Sequence, residues 1–316
     1  MAKNALATGF TTEEPDTTDI VGIEEESVRL EEIKFQEVEL LNLEGNLPIG
    51  LFLDGERLNK VTLHPYSTKH DRILGQLLKG TRNRLIPALA QFLPQVIKEI
   101  GGYPFTDIAK KMSSSPTRVI ENMFLGDVLT IVLMVRQEAQ GADIAMAATC
   151  PNCGTKNEDN PEKGRPYHNL ESVIVKTLPN LNKKLVVEVT LEDGLDIFED
   201  HITKILMQPL KLYHAEKIAK TDSGEPEDIS MIYAMVVGIP ESEAFRNAKG
   251  TVFNDDLYDQ LSRNDLKIVR RALKVLQPGP AMSIEMDCYN CGHEWEETLG
   301  WGRLREFLYI APDSPE

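Results

Sequence analysis

The apolar positions of this chain change period several times, and each change predicts an element. Leu47-Pro48-Ile49-Gly50-Leu51-Phe52-Leu53 is followed by Asp54-Gly55 and then by Leu58, Val61 and Leu63. An Asp-Gly pair between apolar runs predicts a hairpin, because both central positions of its tight turn favour positive φ. Thr68 with Asp71 three residues later has the form of a capping box, and Ile73, Leu74, Leu77 and Leu78 follow at the spacing of a helix face. Further helices are expected over Arg84 to Ile100, interrupted by Pro87 and Pro94, over Phe105 to Met112 and over Pro116 to Leu125. Asp127 to Gln140 is apolar almost all round at its centre, which predicts a buried helix, and Gly141 is placed to stop it.

Beyond Gly141 the pattern predicts a strand over Ala142 to Thr149, the first Cys-x-x-Cys, a polar loop over Thr155 to Arg165, and strands over Val173 to Leu178 and Leu185 to Leu191. Asp193-Gly194 reads as a second turn. Helices are expected over Leu210 to Lys220, Glu227 to Val237, Asp255 to Leu261 and Asn264 to Leu276, and then a strand, Met282 to Asp287, leads to the second Cys-x-x-Cys.

Shifting the chain by 138 residues superposes the two cysteine pairs without a gap. Asp127 then meets Asp265, Gly141 meets Gly279, Asn152 meets Asn290 and Gly154 meets Gly292, with Ile131 on Val269, Val135 on Leu273 and Met146 on Ile284. With small gaps Asp54-Gly55 corresponds to Asp193-Gly194, and Pro65 with His70 to Pro209 with His214. The reading is an internal duplication. A unit that cannot bury its own apolar surface stacks on its copy, so the expected fold is α+β, with a unit of β-hairpin, helices, strand and zinc knuckle repeated and packed as a pseudo-twofold pair. Residues 1–46 are an acidic arm expected to be partly disordered, 47–180 the first repeat and 181–316 the second.

Composition changes this picture mainly through charge. The 316 residues carry a formal net charge of −16, with 41% hydrophobic residues, as a folded protein requires. The acidic excess argues against a broad phosphate-binding surface, so nucleic acid is an unexpected main partner. Residues 1–46 hold twelve acidic side chains against Lys3, Arg29 and Lys34, and the apolar residues from Glu24 to Leu43 can order on a partner. The longest apolar run, Val128 to Val135, is far short of the ~20 residues that span a bilayer, and the first residues lack the pattern of a secretory signal. A cytoplasmic location in the producing or host cell is expected, or incorporation into an assembled particle.

In a reducing compartment the cysteines point to metal before disulfides. Cys150-Pro-Asn-Cys153-Gly and Cys288-Tyr-Asn-Cys291-Gly have the gap that turns two thiolates onto one ion, and the following glycine permits positive φ. Each pair supplies half of a tetrahedral site, so Cys150, Cys153, Cys288 and Cys291 are expected to share one structural zinc that clasps the repeats. A redox pair and a pair of disulfides are the competing readings, and His293 or His168 could replace a cysteine. Four thiolates leave no open position for catalysis.

The remaining candidates are weaker. His64, His70, His201 and His214 have no metal-binding spacing, Ser113-Ser114-Ser115-Pro116 reads as a loop entering a helix, and Gly300-Trp301-Gly302 lacks the third glycine of a dinucleotide fingerprint. Lys267, Arg270, Arg271 and Lys274 make a basic helix face that suits nucleic acid or the acidic arm. Trp295, Trp301, Phe307, Leu308 and Tyr309 crowd aromatics beside the second knuckle as a packing floor or docking patch.

The stretch from Asp127-Val-Leu-Thr-Ile-Val-Leu-Met-Val-Arg136 through Cys150-Pro-Asn-Cys-Gly154, repeated from Asp265 through Gly292 and ending in Phe307-Leu308-Tyr309, resembles the baseplate hub assembly chaperones of T-even-like phages, found also in bacterial contractile injection systems. The hairpin from Leu47 to Leu63 is similar to the one that opens small phage tail assembly proteins. The resemblance covers the knuckle segments and that hairpin, whereas the acidic arm and the large second half depart from it. It implies a non-catalytic assembly factor or structural component of a contractile-tail or injection-system baseplate hub, with hub, spike or tail-tube proteins as partners. A zinc-ribbon regulator that binds nucleic acid is the alternative, and an enzyme is not expected, since no nucleophile, base and oxyanion set can be assembled.

Overall fold

The computed structural model describes residues 27–78, 85–183, 185–197, 200–220, 227–242 and 255–298. In chain order its elements are β1 (Val28–Arg29), β2 (Gln36–Glu39), β3 (Asn46–Leu53), β4 (Glu56–Leu63), α1 (Thr68–Leu77), α2 (Leu85–Val96), β5 (Ile97–Ile100), β6 (Tyr103–Pro104), α3 (Phe105–Lys111), α4 (Pro116–Asn122) and α5 (Leu125–Gln140). Then follow β7 (Asp143–Ile144), β8 (Ala147–Thr149), β9 (Lys156–Glu158), β10 (His168–Asn169), β11 (Ile174–Thr177), β12 (Val187–Ile197), β13 (Asp200–Met207), α6 (Leu212–Lys220), α7 (Glu227–Met235) and β14 (Val236–Gly238). The last are α8 (Asp255–Tyr258), α9 (Arg263–Val275), β15 (Gly279–Pro280), β16 (Ser283–Asp287) and β17 (Glu294–Thr298). The class is mixed α+β with several small sheets.

Two four-stranded sheets, β3-β4-β5-β6 and β1-β12-β13-β14, anchor two apolar cores. The first core gathers Leu58, Leu89, Phe92, Leu93, Phe105, Ile108 and Ile131 around α2 and α5. The second gathers Val187, Val189, Ile202, Ile205, Met235, Val269 and Leu273 between its sheet and α7 and α9. A third, smaller core of Leu40, Leu43, Leu133, Ile144, Met146, Leu170, Val175, Ile284 and Met286 draws on segments from across the chain.

Each large sheet meets a helix through a buried aspartate. In the β3–β4 hairpin the register shifts between Asn46 and Leu51, and the N–H groups of Ile49 and Gly50 turn inward to donate to Asp127 Oδ1 and Oδ2, at 2.8 and 2.9 Å. In β12–β13 the shift falls between Thr190 and Leu195. There Glu192 and Asp193 N–H donate to Asp265 Oδ1, at 2.6 and 3.2 Å, and Gly194 N–H to Oδ2 at 3.1 Å. Gly50 and Gly194 have φ of +87° and +80°, and an added Cβ would lie 2.6 Å from Leu58 O and 2.7 Å from Ile202 O. A bulge that closes on the next strand admits no side chain there.

The hairpin at Asp54-Gly55 forms as expected, with φ of +52° and +79°. Asp193-Gly194 is not a turn, because β12 runs straight through it, so its counterpart is the Gly50 bulge rather than Asp54-Gly55. The cap of α1 is Ser67, not Thr68, and His70 Nδ1 accepts the Ser67 N–H at 3.1 Å, while His214 Nδ1 accepts the Lys211 N–H at 3.3 Å before α6. The helix expected to reach Ile100 ends at Val96, and Ile97–Ile100 becomes a strand beside β4, where the buried Ile97 and Ile100 complete the first core. The expected loop after the first knuckle contains β9 and a 3-10 turn over Pro161–Lys163.

Residues 27–46, read as part of an acidic arm, lie against both halves. β1 pairs with β12 in parallel, β2 pairs antiparallel with β11, and Leu40 and Leu43 enter the third core; residues 1–26 lie outside the described residues. The division at residue 180 is not a division between cores. Ile49 and Phe124 sit in the second, and Leu212 and Ala215 of α6 sit in the first. Gly126 and Gly279 bring the two parts into bare backbone contact, since a Cβ on Gly126 would meet Pro278 O at 1.9 Å. Among the described residues no helix is long and apolar enough to cross a membrane.

Candidate metal centre

Each cysteine pair sits at the tip of a short antiparallel ribbon, β8–β9 for the first and β16–β17 for the second. The tips have the same wiring. Cys150 N–H donates to Thr155 O at 2.9 Å and Gly154 N–H to Cys150 O at 3.0 Å, while Cys288 N–H donates to His293 O at 2.9 Å and Gly292 N–H to Cys288 O at 2.8 Å. Gly154 and Gly292 leave the turn at φ of +72° and +66°, the positive values that glycine adopts without strain.

The ribbons bring their tips together. The four Sγ atoms lie within 4.8 Å of one another, and no disulfide joins any of them. The close pairs cross between ribbons, Cys150 to Cys291 at 3.8 Å and Cys153 to Cys288 at 3.5 Å. A tetrahedron with metal–sulfur arms of about 2.3 Å has edges of about 3.8 Å. The cluster therefore has the size and donor set of a four-thiolate site, and it can hold a metal ion.

The surroundings act unevenly on the thiols, favouring the thiolate at Cys153 and Cys288 and the thiol at Cys150. The side-chain and backbone groups of Thr155 hold Cys153 down to about 5. Burial pushes Cys150 up to about 11 against the opposing N–H groups of Cys153 and Asn152. At Cys288 burial acts in the same upward sense but is outweighed, and the N–H groups of Cys291 and Asn290 contribute to a lowered value. Cys150 and Cys288 face inward, and Cys153 and Cys291 face solvent.

Three asparagines complete the site, and the sequence had given none of them a role. Asn152 Nδ2 lies 3.6 Å from Cys291 Sγ and Asn290 Nδ2 lies 3.8 Å from Cys153 Sγ, each reaching from one knuckle to the other's outer sulfur. Asn157, fully buried, accepts the Tyr289 N–H at 2.9 Å, donates to Thr155 O at 2.8 Å and lies 3.8 Å from Cys288 Sγ. The recurrence of Asn one residue before the second cysteine was the available signal for the first two. Asn157 has no counterpart in the second knuckle and left no signal.

Neither histidine near the knuckles joins the four sulfurs. His293 stacks on Trp295 with ring centroids 6.3 Å apart, and His168 Nε2 lies 3.7 Å from Asp159 Oδ2. Asp159 also accepts the Met146 N–H at 2.9 Å, and Arg165 lies over the Tyr289 ring at 3.9 Å, so the chain after the first knuckle folds over the second. His70 and His214 serve as helix caps, and His201 pairs with Asp196 at 2.8 Å. Ser115 caps α4 by accepting the Arg118 N–H at 3.2 Å, with Pro116 in the first turn. Lys267, Arg270, Arg271 and Lys274 are exposed on α9. The Gly300-Trp301-Gly302 segment and Trp301, Phe307, Leu308 and Tyr309 lie outside the described residues.

No family model, no curated protein and no solved structure matches the chain.

Proposed function

We propose that this chain is a non-catalytic scaffold built from a duplicated unit, whose two knuckles share one structural zinc, and that it serves as an assembly factor or structural component of a phage-like contractile-tail or injection-system baseplate hub. The observation that carries the zinc clasp is the crossed sulfur geometry, in which each close pair takes one cysteine from each knuckle. Zinc suits four thiolates because it is redox-inert and accepts a closed tetrahedral shell. When bound, the ion would supply a four-way crosslink, while Asn152, Asn157 and Asn290 orient and partly neutralise the sulfurs.

The duplication is supported by more than the knuckles. Asp127 and Asp265, at the same offset as the cysteines, grip glycine bulges in two hairpins, and His70 and His214 cap the helices that follow those hairpins. A pseudo-twofold packing of two such units places the zinc on the axis. The hub role rests on the resemblance of the Asp127–Gly154 and Asp265–Gly292 stretches to the phage chaperones.

Elemental analysis of the purified protein is expected to give one zinc per chain, with Cys150→Ser and Cys288→Ser each releasing it; two ions per chain would defeat the shared clasp. For the role, tagged protein from its native source is expected to co-purify with hub, spike or tube proteins, and recovery with none of them would remove that reading. The exposed basic face of α9 favours one second reading, a nucleic-acid regulator. Fluorescence anisotropy with duplex DNA and RNA at physiological salt decides it, since absence of salt-dependent binding rules it out.

A further inference from the structure

α9 carries two opposed faces. Asp265, Val269, Ala272, Leu273 and the following Leu276 are buried, Val269, Ala272, Leu273 and Leu276 within the second core, while Arg263, Lys267, Arg270, Arg271 and Lys274 are exposed. At ~100° per residue these five cations fall on one stripe roughly opposite the buried side. The helix has no carboxylate of its own facing solvent, because its one acidic residue is Asp265. Among the described residues Arg263, Lys267, Arg271 and Lys274 have no ion-pair partner, although the chain as a whole is strongly acidic. Like charges three and four residues apart repel along a helix, so an anionic partner would relieve the stripe.

The chain itself brings such an anion to this place. Residues 1–26 hold seven acidic side chains, Glu13, Glu14, Asp16, Asp19, Glu24, Glu25 and Glu26, against Lys3 alone. They join the described chain at Ser27, where β1 pairs with β12, the strand on which α9 packs. Lys183 Nζ donates to Ser27 O at 3.3 Å, and Leu30, Ile33 and Phe35 pack against the core that holds the buried side of α9. Fourteen residues, Glu13 to Glu26, reach up to about 45 Å when extended, ample to cross a helix about 10 Å thick.

We propose that the acidic segment Glu13–Glu26 docks in cis on the Arg263–Lys274 stripe of α9 and screens it from polyanions. The contact would be electrostatic and salt-sensitive.

The full chain treated with a zero-length carbodiimide at low salt tests this. Expected are amide links within one chain from Lys267 or Lys274 to carboxylates of residues 13–26, lost at about 1 M salt, where the Debye length is ~3 Å. Arg263→Gln with Arg271→Gln, which leaves both lysines in place, is expected to lower the yield about two- to thirtyfold, the span of two exposed ion pairs. Links from these lysines only to other carboxylates, links only between chains, or no links would overturn the proposal. A second measurement uses duplex DNA at low salt as a polyanion probe. The full chain is expected to bind weakly, and replacing the seven carboxylates by their amides is expected to strengthen binding in a way that Lys267→Gln with Lys274→Gln abolishes. Equal binding with and without the seven carboxylates would show that the segment does not screen α9.

Discussion

Asp127 shows how much one side chain settles here. It is fully buried and holds two backbone N–H groups of the β3 bulge. Burial pushes its pKa from 3.8 up to about 6, against the lowering effect of Ile49 and Gly50 N–H and of Arg57. A carboxyl group raised in the folded state contributes stability that is present in full below 3.8 and is lost as pH rises through about 6. Asp127→Asn should remove that step, so urea midpoints of the variant and wild type measured from pH 3.5 to 7 should converge as pH rises from 3.8 through about 6. At pH 3.5 the variant should be less stable by about 1–3 kcal/mol, because an amide nitrogen replaces one acceptor. Asn157 works at the metal centre in a comparable way. Asn157→Ala takes the acceptor from Tyr289 N–H and an amide from Cys288 Sγ, and competition with a chromophoric chelator should show metal affinity reduced about 10- to 100-fold.

Among the elements, the bulged hairpins explain what the sequence concealed. The Asp54-Gly55 hairpin was legible because its turn residues are adjacent and carry the positive φ themselves. Asp193-Gly194 has the same letters, yet its glycine serves a bulge whose partner is Asp265, far along the chain, and local pattern cannot register a distant acceptor. For the same reason the 138-residue offset revealed Asp127 and Asp265 as equivalent without revealing that both hold hairpins. Ile97–Ile100 continued an apolar helical pattern, and pairing with β4 overrode it. The cysteines were the most legible feature, because ligand type and spacing are local and only their meeting is tertiary. The Gly126–Gly279 contact was beyond reach, since bare backbone leaves no hydrophobic trace. It yields a sharp expectation: Gly126→Ala forces α5 away from Pro278 O and should cost about 1–3 kcal/mol or more in thermal or urea unfolding, whereas Gly154→Ala meets no neighbour and pays only for its φ of +72°.

For the whole molecule, the position of the metal centre determines what its removal can do. The two large cores have their own sheets and helices and do not include any cysteine, whereas the third core, with Met146, Ile284 and Met286, lies beneath the two knuckle ribbons. If the four thiolates share an ion as proposed, stripping it should therefore loosen the junction before it loosens either body. Hydrogen exchange followed by mass spectrometry is expected to show lost protection over residues 147–158 and 283–298 on chelation, with β3–β4 and β12–β13 nearly unchanged. Cys288→Ser should reproduce this on both ribbons, including the first, which it does not alter chemically, because each close sulfur pair takes one member from each ribbon. The same variant should lower the unfolding midpoint, since a metal that binds the folded chain alone stabilises it by its own binding free energy. Protection lost across both sheets would mean that the ion organises the entire fold. Protection lost on the second ribbon alone would mean that the two knuckles do not share one ion, and the crossed geometry would then be an accident of proximity rather than a clasp.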